Sequence, residues 1–266
     1  MYFKIKTYNF SSRKLTAPLK LLVLADLHGR TYPEGEGDLA GICREREPDL
    51  ILVPGDTVTA RTDTEIGPTL RLFADLARIC PVYLANGNHE SKLRAQLDRF
   101  GSRYRQLYTG LAKCGVRVLN NAAEDICLSG NALRLVGLEV PLSTYKKGRR
   151  PHLSEEGLWK ALGPRDPERF NILIAHNPAF AQQYFSWGAD LAVAGHFHGG
   201  IVRSPITRRA LMDPYGFPLP KYGYGMYKKG EQLLVVSGGL GDHFLLPRIF
   251  NPRELVEIVV EPEKKE

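Results

Sequence analysis

Eight short segments of the chain are almost continuously apolar and rich in branched residues: LKLLVLAD (19–26), DLILVPGD (49–56), PVYLANGNHE (81–90), ALRLVGLEV (132–140), FNILIAHNP (170–178), DLAVAGHFH (190–198), QLLVVSGG (232–239) and ELVEIVVEP (254–262). Such runs, without polar alternation, predict strands buried on both faces. Between them, 67–79 and 93–114 carry apolar residues at three- and four-residue spacing with charges on the opposite face, the pattern of surface helices. Strands alternating with helices predict an α/β fold. No repeat of solenoid length and no Pro/Gly/Ser linker divides the chain, so residues 1–266 are expected to form one domain. Two stretches break the pattern: 140–166, with the basic run YKKGRR, and 204–230, rich in Pro, Gly and Tyr. Both are expected to be surface loops near a site.

The polar residues that interrupt this pattern fall at the ends of the predicted strands. Asp26 and His28 close the first, Asp56 the second, Asn88 and His89 the third, His176 the fifth, and His196 and His198 the sixth. In an α/β sheet, ligands gather beyond the carboxyl ends of strands, so side chains spread over some 170 positions can converge there. A lone H-x-H pair would equally suit hydrogen-bonded loop histidines, a strand-end Asp is commonly a helix cap, and Gly-Asn is commonly a turn. Five clusters at five strand ends together point to a shared cage. Carboxylates, imidazoles and an amide oxygen without thiolate suit divalent manganese, iron or zinc. Seven protein ligands are too many for one tetrahedral ion and adequate for two ions sharing a bridging carboxylate.

Composition narrows the remaining classes. At 43% hydrophobic and 24% charged the chain is ordinary for a globular protein, which excludes a disordered one. No apolar run approaches the roughly 18 residues of a membrane span, and residues 1–20 lack the apolar core of a signal peptide. A cytoplasmic protein, with at most peripheral membrane contact, is expected. Cys43, Cys80, Cys114 and Cys127 form no C-x-x-C pair, so they are read as reduced, mostly core thiols. A formal charge of +7 favours anionic partners without naming one.

In this order and spacing, D-x-H, G-D, G-N-H-E, H and G-H-x-H resemble the calcineurin-like metallophosphoesterase superfamily, from about Leu19 to the C-terminus. GHFHGG followed by a Tyr-rich loop, SGGLG and LPRIFNPRELVEIVV further resembles its bacterial branch of phosphohydrolases, some of which cleave phosphodiesters or the pyrophosphate of a lipid A precursor. Many members of that branch begin with a membrane anchor, which this chain is expected to lack. The resemblance implies a four-layer αββα sandwich and a dinuclear centre. Asp26, His28, Asp56 and His198 would hold one ion, and Asp56, Asn88, His176 and His196 the second, with Asp56 as the bridge. A water between the two ions, its pKa drawn toward neutrality, would attack phosphorus in line. His89 would be the general acid.

Other residues carry weaker signals. His152 and His243 are read as structural or exposed, and Lys146, Lys147, Arg149 and Arg150 as a solvated charge run with phosphate or membrane contact as the alternative. Glu90 is read either as orienting His89 or as a solvated or helix-N-terminal glutamate. SGGLG lacks the lysine of a P-loop and is read as a tight turn near the metals. Tyr215, Phe217, Tyr222, Tyr224 and Tyr227, beside Lys221, Lys228 and Lys229, form either an apolar flank at a lipid headgroup layer or a loop packed on the sheet. The expected substrate is a phosphorylated small molecule or a lipid-linked phosphoester. The rivals are a nuclease or cyclic-nucleotide phosphodiesterase, with nucleic acid the less favoured partner, and a non-catalytic scaffold. The presence of His89 and all seven ligands argues against the scaffold.

Overall fold

The computed structural model of the protein describes residues 2–33, 37–200, 202–242 and 248–263. Two six-stranded mixed sheets face each other. In sheet order the first contains β1 (Lys4–Ser12), β12 (Glu254–Pro262), β2 (Leu19–Val23), β3 (Leu50–Val53), β4 (Val82–Leu84) and β5 (Arg117–Val118). The second contains β10 (Gly225–Lys229), β11 (Gln232–Val236), β9 (Leu191–Ala194), β8 (Phe170–Ala175), β7 (Asn131–Leu138) and β6 (Ala122–Leu128). β2, β3, β4 and β5 run parallel, as do β7, β8, β9 and β11.

The layering follows from the two-residue period of a strand. Leu21, Val23, Leu50 and Leu52 face inward and meet Leu133, Leu135, Ile172 and Val193 of the opposite sheet. Their neighbours Leu22, Leu24, Ile51 and Val53 face outward, under the helices of the first sheet. Those helices include α1 (Leu39–Glu45), α2 (Gly67–Ala77), α3 (Asn88–Ala95) and α4 (Leu97–Lys113). On the far side Val136, Leu173, Ala192 and Leu234 pack under α5 (Glu155–Leu162) and α6 (Ala181–Trp187). The order is helix, sheet, sheet, helix, the αββα sandwich that the resemblance implies.

The eight predicted strands are the eight interior strands of the two sheets. The four not predicted, β1, β5, β6 and β10, are the four sheet edges, where exposed positions interrupt the apolar run. The helix expected over 93–114 is two: α3 ends where Gln96 leaves helical geometry (φ −125°, ψ 61°) and α4 begins. The two expected loops also hold regular structure. A 3₁₀ turn (Leu142–Tyr145) and α5 occupy the first, and β10 the end of the second. Cys43 is buried, as read, whereas Cys127 is exposed.

Candidate metal centre

β2, β3 and β4 of one sheet and β8 and β9 of the other deliver their carboxyl ends to one place. Asp26 and Asp56 are buried there, with His176 and His198. Three overlapping groups have their ligating atoms within 4.8 Å of one another: Asp26, His28 and His198; His28, Asp56 and His89; and Asp56, His176 and His196. Asn88 joins the last through its amide oxygen, 3.2 Å from His176 Nε2. The structure thus brings together all seven predicted ligands and His89. His152 is exposed and apart from them, and His243 lies outside the described residues.

Asp56 stands in the middle. Its Oδ2 is 3.2 Å from His176 Nε2, 3.9 Å from His28 Nε2 and 4.0 Å from His89 Nε2, and its Oδ1 accepts the His89 amide hydrogen at 2.9 Å. Asp26 accepts the His196 amide at 3.0 Å and lies 3.8 Å from His198 Nε2 and 3.9 Å from His176 Nδ1. His28 stacks on His198, with 3.1 Å between their Nε2 atoms. His176 donates Nδ1–H to the Pro54 carbonyl at 2.7 Å, which aims its Nε2 at Asp56 and Asn88. Tyr145 and Tyr215 wall His196, at ring separations of 4.9 and 5.6 Å.

Charge is poorly balanced among these groups. Burial pushes the Asp26 carboxyl up to about 7, with His176 opposing and Asp56 adding to the rise. Burial acts the same way on Asp56 but is outweighed by His176, His89 and His28, which hold its carboxyl well below the ordinary range. Burial would lower His176, but the Asp56 carboxylate beside it raises it to about 9. A proton on His176 thus offsets two buried carboxylates, a role divalent cations would take over with release of protons. Buried oxygen and nitrogen donors converging without thiolate fit such ions.

The backbone at the centre is under tension. Asp26, His28, Asp56, His196 and His198 all have left-handed φ, between 49° and 63°. Five of the seven ligand candidates therefore adopt a conformation that residues with a Cβ occupy rarely. The strand ends turn sharply there, which points the side chains inward. Gly87, with an ordinary φ of −89°, is constrained by space instead, since a Cβ there would lie 2.2 Å from Asp56 Oδ1 and 2.6 Å from the Asp56 amide nitrogen.

Glu90 is the helix-N-terminal glutamate of one expectation, taking the Gly87 amide in the first turn of α3, but it is buried rather than solvated, and the His89 ring is oriented by another group. Its side chain is fully buried and accepts from the amides of Asp56 (2.9 Å), Thr57 (2.7 Å) and Gly87 (3.0 Å) and from the Thr57 hydroxyl (2.7 Å). It holds the backbone that carries Asp56, while His89 is held by the Ala60 amide, which donates to Nδ1 at 2.8 Å. On the opposite side Asn251 donates to the carbonyls of His198 and Gly200, both at 2.6 Å, and fixes the H-x-H turn. Arg248 donates to the carbonyls of Gly238, Gly239 and Gly241 and lies 3.3 Å from His198 Nδ1. The SGGLG segment lies beside the centre but is a bend rather than the hydrogen-bonded tight turn expected, the Leu240 and Gly241 amides bonding the Ala25 and Asp26 carbonyls at 2.9 and 2.6 Å. Sequence reasoning missed Asn251 and Arg248. Their one signal was the segment LPRIFNPRE, which names no chemistry by itself.

The tyrosine loop is mostly packed. Tyr215 is buried with its hydroxyl accepting from Asn177 at 2.6 Å, Tyr222 and Tyr227 pack near Phe185, and Tyr224 bonds Glu254 at 2.7 Å. Lys146, Lys147, Arg149 and Arg150 are exposed, with Arg150 over the Phe217 ring.

The family pattern described as calcineurin-like phosphoesterase matches residues 19–200. Over 229 residues the chain is 28% identical to phosphodiesterase YaeI of Escherichia coli, covering 85% of this chain and 76% of that one. It is 24% identical to the uncharacterized protein YpbG of Bacillus subtilis, covering 76% and 70% of the two chains. The structure of a 5′-nucleotidase precursor from Thermus thermophilus superposes with a TM-score of 0.52 at 15% identity, covering 92% of this chain and 54% of that one. That last likeness is one of fold.

Proposed function

The chain belongs to the calcineurin-like phosphoesterase family, a family of metal-dependent phosphohydrolases, and we propose that it hydrolyses phosphodiester or pyrophosphate bonds at a pair of divalent ions. The observation that carries this reading is the placing of Asp56 Oδ2 among His28, His176 and His89, where one carboxylate would serve both halves of the centre. Asp26, His28, Asp56 and His198 would hold one ion, and Asp56, Asn88, His176 and His196 the other, manganese, iron and zinc being the ions this donor set suits. Ions so held supply a more acidic water and neutralise charge on the phosphoryl oxygens.

The chain's own residues do the rest. Glu90 and Asn251 keep Asp56 and His198 in place. His89, accepting at Nδ1 from Ala60, keeps its proton on Nε2, facing the centre, where it can donate to the oxygen of a departing group. A diester suits the surroundings better than a monoester. The half-buried Tyr145 ring beside His196 offers an apolar wall for a second organic group, while Arg248, the cation beside His198, is already engaged with three backbone carbonyls. The manganese-loaded protein is therefore expected to cleave bis(4-nitrophenyl) phosphate at least about ten times faster, in kcat/KM, than 4-nitrophenyl phosphate. A preference for the monoester would overturn the diester reading.

The partner we propose is an anionic lipid surface. No helix among the described residues is long and apolar enough to cross a membrane. However, Ile206, Leu219 and Phe250 are 90%, 68% and 67% exposed, with Leu211, Met212 and Ile249 beside them. Isolated bridges tie together the segments that carry them: Val202 bridges Ile249, next to Phe250; Arg203 bridges Ala210, on either side of Ile206; Met212 bridges Pro218; and the Leu219 amide donates to the Leu211 carbonyl. Arg208, Arg209 and Lys221 on the same excursion are exposed. Apolar tips ringed by cations bind anionic headgroups and lose them as salt screens the charge. Flotation with phosphatidylserine vesicles should recover the protein at low salt, less of it at high salt, and little of an Ile206→Asp/Phe250→Asp variant. Failure to recover the wild type at low salt would remove the proposal.

A further inference from the structure

Next to the centre lies a cavity of about 690 Å³ between α3, residues 139–142 and α5, within the size range of small-molecule sites. Two of its walls run on into the centre. Ser91, Arg94 and Ala95 belong to the helix that opens with Asn88 and His89, and the turn beginning at Leu142 ends at Tyr145, whose ring is 4.9 Å from that of His196. At 100° per residue, Ser91 and Ala95 lie within about 60° of Asn88 on α3, while His89 points 100° the other way. A substrate whose departing oxygen faces His89 thus extends its other arm along the Asn88 face, into this cavity.

The lining identifies the arm. Ala95, Val140, Pro141, Leu142, Leu153 and Ala161 give it an aliphatic side, and among the described residues none of those that line it is aromatic. A nucleobase therefore finds no ring to stack on. Its one carboxylate, Glu139, is buried and already paired, with Arg94 Nη2 at 2.9 Å and the Ser91 hydroxyl at 2.5 Å. Glu139 thus brings no uncompensated charge against an apolar guest, and Lys160, at an exposed position of α5, keeps its ammonium in water while its methylenes line the cavity. We propose that this cavity binds the retained ester arm of the substrate and that the arm is an aliphatic chain. The proposal rests on the diester reading above.

The test is a series of alkyl 4-nitrophenyl phosphates from methyl to octyl. In the wild type kcat/KM should rise about three- to fourfold per methylene until the cavity is full. Ala95→Trp, at an exposed helix position on the cavity edge, should remove that slope. A flat series in the wild type, with the methyl ester turned over, overturns the cavity assignment and leaves the diester reading standing. Absence of turnover throughout overturns the diester reading. The cavity is then judged by binding alone: octylphosphonate should raise the melting temperature of the wild type but not of Ala95→Trp, and ethylphosphonate should raise neither. Equal shifts by the two phosphonates overturn the assignment.

Discussion

Asp56→Ala is expected to empty both halves of the centre and to lower kcat by roughly 10³- to 10⁴-fold, the several kcal/mol that ion-stabilised phosphoryl charge represents at 1.36 kcal/mol per tenfold. The reasoning is geometric. Asp56 Oδ2 lies within 4.0 Å of an imidazole nitrogen from each of His28, His176 and His89, whereas the Asn88 amide oxygen sits against His176, in one half of the centre. Asn88→Ala should therefore weaken one ion and spare the other. Elemental analysis after dialysis separates the cases: about two ions per chain in the wild type, about one in Asn88→Ala, and well under one in Asp56→Ala. Two ions retained by Asp56→Ala would refute the bridge. Asp56→Asn should resemble Asp56→Ala, because the amide keeps the shape and loses the charge that His176 and the ions require.

His89→Ala should keep both ions and lose about a hundredfold or more in turnover of esters with poor leaving groups, the scale of general acid catalysis. Nitrophenyl esters, whose leaving oxygen needs little help, should lose less. The Ala60 amide at 2.8 Å from Nδ1 is what makes the result interpretable. It holds the ring in one tautomer, so the change removes one donor at Nε2 and leaves the flanking Asp56 bonded to Glu90-supported backbone. Equal losses for good and poor leaving groups would reassign His89 to binding the phosphoryl group.

What could be read in advance divides along a physical line. An interior strand is apolar on both faces, so β2, β3, β4, β7, β8, β9, β11 and β12 announce themselves; an edge strand such as β6, with every other residue exposed, resembles a loop. The short helices α1, α5 and α6, of seven or eight residues, hold too few turns to show a period. The ligand candidates were legible because their chemistry is in the residue type and their position at strand ends. The reach of Glu90 and Asn251 was not, because beyond its local bond to Gly87 the first acts on backbone 33 and 34 residues away and the second on backbone 51 and 53 residues away.

The left-handed turns at Asp26, His28, Asp56, His196 and His198 also bear on how such a chain would age if its activity ceased to matter. Each holds a residue with a Cβ where glycine would sit without strain, at about 1–2 kcal/mol apiece. Once ligand chemistry no longer constrained them, drift toward glycine or asparagine at these positions would relax the fold rather than damage it. A descendant that kept the sandwich as a mere scaffold should therefore show its retirement first at these strand ends, as a gain in stability, long before its core changed.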